Sequence, residues 1–147
     1  MTTLTLMTFN INYYNKVDPN ILHKYLSMIC EFKQVDIILL QECCYEIDTS
    51  DIYRYYEVAK CKGEYISNGL HLSNKILVHK KYVGNIISSS CIRLNTPRFA
   101  SDRCACCIEL LINNKNIKIV CTHLTGGKYD DLMYYKYTNV KNIQIQQ

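Results

Sequence analysis

No stretch of this 147-residue chain stays apolar for long: the longest aliphatic run is Ile37 to Leu40, far too short to cross a bilayer. The opening residues, Met1-Thr2-Thr3-Leu4-Thr5, carry neither a basic cluster nor a long apolar segment. A secretory leader is therefore not expected, and a soluble, cytoplasmic protein is. Two prolines and five glycines leave little material for a linker or a domain boundary, and no repeat or low-complexity tract is present. One domain over residues 1–147 is the expected organisation. With 48% hydrophobic and 20% charged residues, the chain has enough apolar material for a sizeable core and too little charge for disorder.

Charge of one sign is also modest. A net charge of +4 favours a polyanion only weakly, because the basic residues are scattered and the densest cluster, His79-Lys80-Lys81, reads as a solvated turn. Nine cysteines are plentiful, but in an unexported chain they read as reduced thiols acting as small buried hydrophobes, and disulfides are not expected. Cys104 and Cys107 form a Cys-x-x-Cys in a run that reads as strand, where a separation of three sends the side chains to opposite faces. Cys43-Cys44 splits in the same way, so neither pair offers a zinc site.

Alternation over Leu4 to Ile11 predicts a strand. Asp18-Pro19 supplies an N-cap and a first-turn proline, and Leu22, Tyr25, Leu26, Ile29 and Phe32 recur at helical spacing, which predicts an amphipathic helix over residues 19–33. Val35 to Leu40, after a very short link, reads as the buried second strand of a β-α-β unit. Lys75 to His79, Asn85 to Arg93, Arg103 to Ile112 and Asn116 to Leu124 read as further strands, the last two joined through Asn113-Asn114-Lys115 as a hairpin. The stretch from Asp48 to Leu72 carries no decisive pattern, and Tyr129 to the end reads as a helix.

Three of these strands end on a polar residue: Asn10 in Leu-Met-Thr-Phe-Asn-Ile, Glu42 in Ile-Ile-Leu-Leu-Gln-Glu and His123 in Ile-Val-Cys-Thr-His-Leu. Strand ends of open sheets are where metal and phosphate sites are commonly built. Mg²⁺ is a hard cation usually held by one or two carboxylates plus water and phosphate oxygens, which makes Glu42 the leading candidate for an anchor. Thr125-Gly126-Gly127-Lys128 follows His123 but lacks the frame of a P-loop. As a glycine turn beside a phosphate site, Gly126, Gly127 and Lys128 are weaker candidates for contact with substrate; Asp102 and Arg103 read as surface residues.

In that order and context, the three strings resemble the endonuclease/exonuclease/phosphatase superfamily of Mg²⁺-dependent phosphoesterases. The resemblance implies an α/β fold, here the N-terminal half of a four-layer sandwich of mixed sheets with flanking helices. It implies Mg²⁺, with Mn²⁺ as a substitute, held by Glu42 with Asn10 beside it, and His123 hydrogen-bonding a phosphate oxygen. The implied partners are a phosphate-bearing substrate, with nucleic acid included. The chain reaches Gln147 without the family's later Asp-x-Asn and Ser-Asp-His strings, which supply the group that activates water. Two functions from different classes are therefore expected: a phosphodiesterase or phosphatase, or a non-catalytic half-domain that binds, self-associates or joins a complementing C-terminal half. An incomplete product without function is a third. Histidine in place of tyrosine before Leu124 leans away from the AP-endonuclease branch.

Overall fold

A computed structural model describes residues 3–12, 18–49, 52, 54–94 and 103–123. The elements run β1 (Leu6–Asn10), α1 (Pro19–Lys33), β2 (Ile37–Cys44), β3 (Tyr55–Ser67), β4 (Leu70–His79), a 3₁₀ turn (Lys80–Asn85), β5 (Ile86–Leu94), β6 (Arg103–Ile112) and β7 (Lys115–Thr122). They build two sheets, a mixed one in the order β1-β2-β4-β3 and an antiparallel one in the order β5-β6-β7. β1 and β2 are parallel neighbours linked through α1, so the β-α-β reading of residues 4–40 holds.

The continuous apolar run of β2 follows from burial on both faces. Ile38 and Leu40 join Leu22 and Leu26 of α1, with Val35, Ile52, Tyr55 and Leu77, in one core. Ile37 points the other way, into a second core between the sheets. There it meets Ile76 and Val78 of β4 and the inward ridge of β6, Cys104, Cys106, Ile108, Leu110 and Ile112. The sheet that covers this ridge is the chain's own β1-β2-β4-β3. Cys104 and Cys107 do split between faces, since only Cys104 enters the inter-sheet core, and both are buried.

The expectation of no disulfide is not met. Cys61 of β3 and Cys91 of β5 are joined across the sheets, with a Cα–Cα distance of 5.4 Å and a sequence separation of 30. The sequence offers no sign of this pairing, because it is made by sheet-on-sheet packing and not by local spacing. The turn at His79-Lys80-Lys81 lies between strands as read, and Lys81 Nζ is 2.7 Å from Asp36 Oδ1 at the start of β2. Residues 124–147, with the helix read from Tyr129 onward, lie outside the described residues.

Beyond β2, Glu46 takes hydrogen bonds from the His71 N–H (3.0 Å) and the Cys44 thiol (3.3 Å), with His71 Nδ1 3.1 Å from its other oxygen. Burial pushes this carboxyl up, but the contacts from His71 and Cys44 outweigh it and hold the group down at about 2. An unfolded glutamate titrates near ~4.3. The stabilisation is therefore complete above about pH 5 and is lost as pH falls towards 2. Thermal melting between pH 6 and pH 2 is expected to show that loss, and Glu46→Gln to remove the part of the slope that belongs to this group.

Candidate functional site

The strands of the two sheets converge where β2 and β7 end. β2 does not run straight to its end: its pairing with β4 shifts between Leu40 and Cys43, and within this bulge Glu42 has φ +48°. A glutamate in the left-handed region is held there against its own preference, at a cost on the order of 1 kcal/mol. Bulges re-aim side chains, and this one turns Glu42 towards the other sheet.

There it meets His123. Nδ1 of His123 lies 3.2 Å from Oε1 of Glu42 and 3.4 Å from Nη1 of Arg103, which opens β6. Arginine only donates, while the carboxylate only accepts, so the same nitrogen is shared between a donor and an acceptor and the imidazole tautomer decides which contact is made. The side chains are 31% exposed for His123 and 16% for Glu42, which leaves both reachable from solvent. A shallow notch lined by Glu42, Gly63, Leu72, Ser73, Asn74, Arg103, Cys104 and His123 opens beside them.

Two of its residues were not singled out correctly from sequence. Arg103 read as a surface residue, yet it is half-buried against His123. Asn74 was missed altogether. It is buried, and its Nδ2 donates to the Cys104 carbonyl at 2.7 Å. The signal was available: Asn74 puts an amide on the same face of β4 as Ile76 and Val78, where a core residue belongs.

The remaining candidates are placed less closely. Asn10 ends β1 in register with Gln41, one residue before Glu42, so the two candidates lie close together on adjacent parallel strands, although Glu42 is two residues inside the end of β2 and not at it as read from sequence. Its Oδ1 accepts from the Asn12 N–H at 2.8 Å, the local turn that asparagine commonly makes. Gln41 is a tie: its Nε2 donates to Thr8 Oγ1 at 2.9 Å and to the Leu39 carbonyl at 3.2 Å. Gly126, Gly127 and Lys128, together with Asp102, lie outside the described residues.

Among the described residues no three His, Cys, Asp or Glu side chains gather into a cage for a metal ion. Mg²⁺ does not demand one, since it keeps several waters and takes one or two carboxylates with phosphate oxygens. The single carboxylate of Glu42 meets the lower limit of that donor set. A larger cavity of about 380 Å³ lies at the opposite end of the first sheet, lined by Glu31, Gln34, Val35, Arg54, Tyr55, His79 and Lys81. Its cations are offset by Glu31 and by the pairing of Lys81 with Asp36, and it shares no residue with the notch. No helix among the described residues is long and apolar enough to cross a membrane.

Neither a family model nor a curated protein matches the sequence. Solved structures do. TDP2 of D. rerio, complexed with a single-strand DNA product, superposes with a TM-score of 0.67 at 15% identity, over 98% of this chain and 55% of that one. An endonuclease/exonuclease/phosphatase family protein from Leptotrichia buccalis gives 0.65 at 14% identity, over 95% and 63%. The human Nocturnin catalytic domain with a bound sulfate anion gives 0.60 at 15% identity, over 87% and 49%. At these identities the likeness is one of fold: the chain has the α/β fold of the endonuclease/exonuclease/phosphatase structures, and spans about half the length of the structures it matches.

Proposed function

We propose that this chain, with the fold of the endonuclease/exonuclease/phosphatase structures, is the metal- and phosphate-binding half of a Mg²⁺-dependent phosphoesterase. The observation that carries the reading is the meeting of Glu42, from a strained bulge in one sheet, with His123, from the end of a strand in the other. Glu42 would hold Mg²⁺, or Mn²⁺, through the carboxylate oxygen turned away from His123, with Asn10 beside it at the end of the neighbouring strand. His123, backed by Arg103, would donate to a phosphate oxygen and offset charge developing on it. The bound metal would polarise the phosphoester and lower the pKa of its water. Nucleic acid is the favoured substrate class, supported by the DNA product in the zebrafish TDP2 structure and by the net charge of +4.

A second reading is favoured by the strand edges. Among the described residues β1 pairs only with β2, and β7 only with β6. Since β3 packs over β5 and β6 while β2 and β4 pack over β7, these two edges lie together on one side of the sandwich, next to the strand ends that carry Asn10 and His123, and the edges β3 and β5 lie on the other. Leu6, Phe9 and Val120 are exposed along the β1 and β7 edges. Unpaired edges invite further strands. A binding half-domain completed by a C-terminal half, or by self-association, fits that geometry. Without a water-activating group, hydrolysis by this chain alone would fall by about 10² to 10⁴.

The test is calorimetric titration of the purified chain with Mg²⁺, followed by assay on single-stranded DNA, RNA and a generic phosphodiester. Mg²⁺ binding is expected from the chain alone, and efficient cleavage only with a complementing segment. Absence of Mg²⁺ binding in every combination would overturn the reading. His123→Ala is expected to weaken a phosphate-bearing ligand about 10-fold or more, the size of a charge-assisted hydrogen bond, while Mg²⁺ affinity changes little. Equal loss of both would make His123 a support for Glu42 and not a ligand for phosphate.

A further inference from the structure

Cys61 lies on β3 of the first sheet and Cys91 on β5 of the second, so their bond is a covalent strap between the sheets. Its position matters more than its presence. Cys91 is in register with Cys106 of β6, and Cys106 with Cys121 of β7. On the first sheet, Cys61 is in register with Asn74 of β4. The two rows are stitched together by thiols: Cys106 Sγ donates to the Asn74 carbonyl at 2.9 Å, and Cys121 Sγ donates to the Leu40 carbonyl at 3.4 Å.

A transverse line of four cysteines thus crosses the sandwich and ends on two backbone positions with a shared property. Cys121 is two residues before His123, and Leu40 is two residues before Glu42. The strap is about two strand spacings, roughly 10 Å, from the point where β7 touches β2. Fixing the separation of the sheets along this line fixes how far the ends of β2 and β7 stand apart. Those ends carry the two side chains that must meet across the gap.

We propose that the Cys61–Cys91 pair is a redox-controlled clamp that sets how firmly the ends of β2 and β7 are held together. The bearing of the clamp on phosphoester chemistry rests on the function proposed above; the clamp itself does not. Cys91 is exposed while Cys61 is buried, which sets the order of the chemistry. The Cys91 thiolate attacks a low-molecular-weight disulfide such as glutathione disulfide, forming a mixed disulfide and releasing one glutathione. The Cys61 thiolate then attacks the Cys91 sulfur and displaces the second glutathione. Two protein thiols are oxidised, one glutathione disulfide is reduced, and the two protons pass to the released thiolates. Burial pushes the neighbouring thiols Cys106 and Cys121 up, which keeps them protonated and out of the exchange.

Three measurements on the full chain test this. The chain is equilibrated with glutathione disulfide, alkylated and digested without reduction, and a Cys61–Cys91 peptide is expected. Reduction with dithiothreitol is expected to lower the melting temperature by roughly 10 °C, the size set by a closed loop of about thirty residues in a domain of this length. It should also speed amide exchange at residues 41–44 and 119–122. Cys91→Ser, at an exposed position, is expected to melt with the reduced protein and to respond to dithiothreitol in neither measurement. Alkylation of both cysteines after oxidation, or an equal response in Cys91→Ser, would overturn the clamp. A lower melting temperature without faster exchange at those two segments would reduce it to a general staple and overturn the coupling to the strand ends. Because none of these readouts uses a metal, failure of Mg²⁺ to bind would remove the proposed function and leave the clamp standing.

Discussion

Glu42→Gln is expected to abolish Mg²⁺ binding in calorimetric titration while changing the melting temperature by no more than a degree or two. The amide keeps the shape and the contact distance of the side chain but removes the negative charge on which a hard cation depends. A companion variant sharpens the result. Glu42 sits at φ +48°, a conformation glycine adopts without penalty, so Glu42→Gly is expected to be as stable as the wild type or more stable by about 0.5–1 kcal/mol, and equally unable to bind Mg²⁺. Such a gain would show that Glu42 does not serve the fold where it stands, as the proposed metal role requires. Undiminished Mg²⁺ affinity in Glu42→Gln would end the metal assignment. A large loss of stability in Glu42→Gly would instead make the carboxylate a structural partner of His123 and Arg103.

How much of this site could be read in advance differs by element. The helix over Pro19–Lys33 and the strand over Arg103–Ile112 have the predicted bounds, because each carries one uninterrupted period and a clear boundary signal. β2 runs on to Cys44, past the apolar run that announces it, since the bulge lets the polar pair Gln41 and Glu42 stay in the ladder. β3, Tyr55–Ser67, was not legible: its pairing with β4 slips at three places, and each slip resets which residues face inward. Asn10 and His123 fall at strand ends as read and Glu42 lies two residues inside β2, but the meeting of Glu42 with His123 was not legible. The approach of Glu42 to His123 is made by stacking one sheet on another, and a 1-D pattern carries each sheet's inward face but not which sheet covers it. The same gap explains the Cys61–Cys91 bond and the role of Arg103.

The relation between the proposed site and the step that activates water follows from the same stacking. Among the described residues both sheets of the sandwich and one flanking helix are present, and the inter-sheet core beside Glu42 and His123 draws on residues between 4 and 121. The proposed metal and phosphate contacts are therefore separable, in principle and in experiment, from the step that removes a proton from water. Binding measured on this chain and turnover measured with a complementing segment address different halves of the chemistry.

The largest effect on stability is expected from Lys75, whose side chain is 0% exposed. Its Nζ lies 3.2 Å from Glu57 Oε2 and donates to the Ile47 carbonyl; Glu57 in turn accepts from Thr49 Oγ1 and pairs with Lys60 at 3.2 Å. This network sits beside Cys43, whose thiol burial pushes up to about 11, with the charge of Lys75 pulling against it. Removing one partner of a buried pair strands the other, at a cost of about 3–5 kcal/mol. Lys60 and Thr49 remain on Glu57, so Lys75→Ala is expected at the lower end, about 3 kcal/mol, or a fall in melting temperature of roughly 10 °C for a chain of this length. Lys75→Met keeps the packing of the stem but not the charge, and pairing it with Glu57→Gln removes the stranded carboxylate as well. That double variant is expected to recover most of the loss, since replacing a buried ion pair by neutral groups of similar volume is often nearly neutral. The full thermodynamic cycle over these two positions, read by denaturant unfolding, is the check. If Lys75→Ala unfolds at the wild-type midpoint, or if the double variant is no better than the sum of the single ones, the pair does not hold β3 to β4 and the stability of the first sheet rests on its apolar core alone.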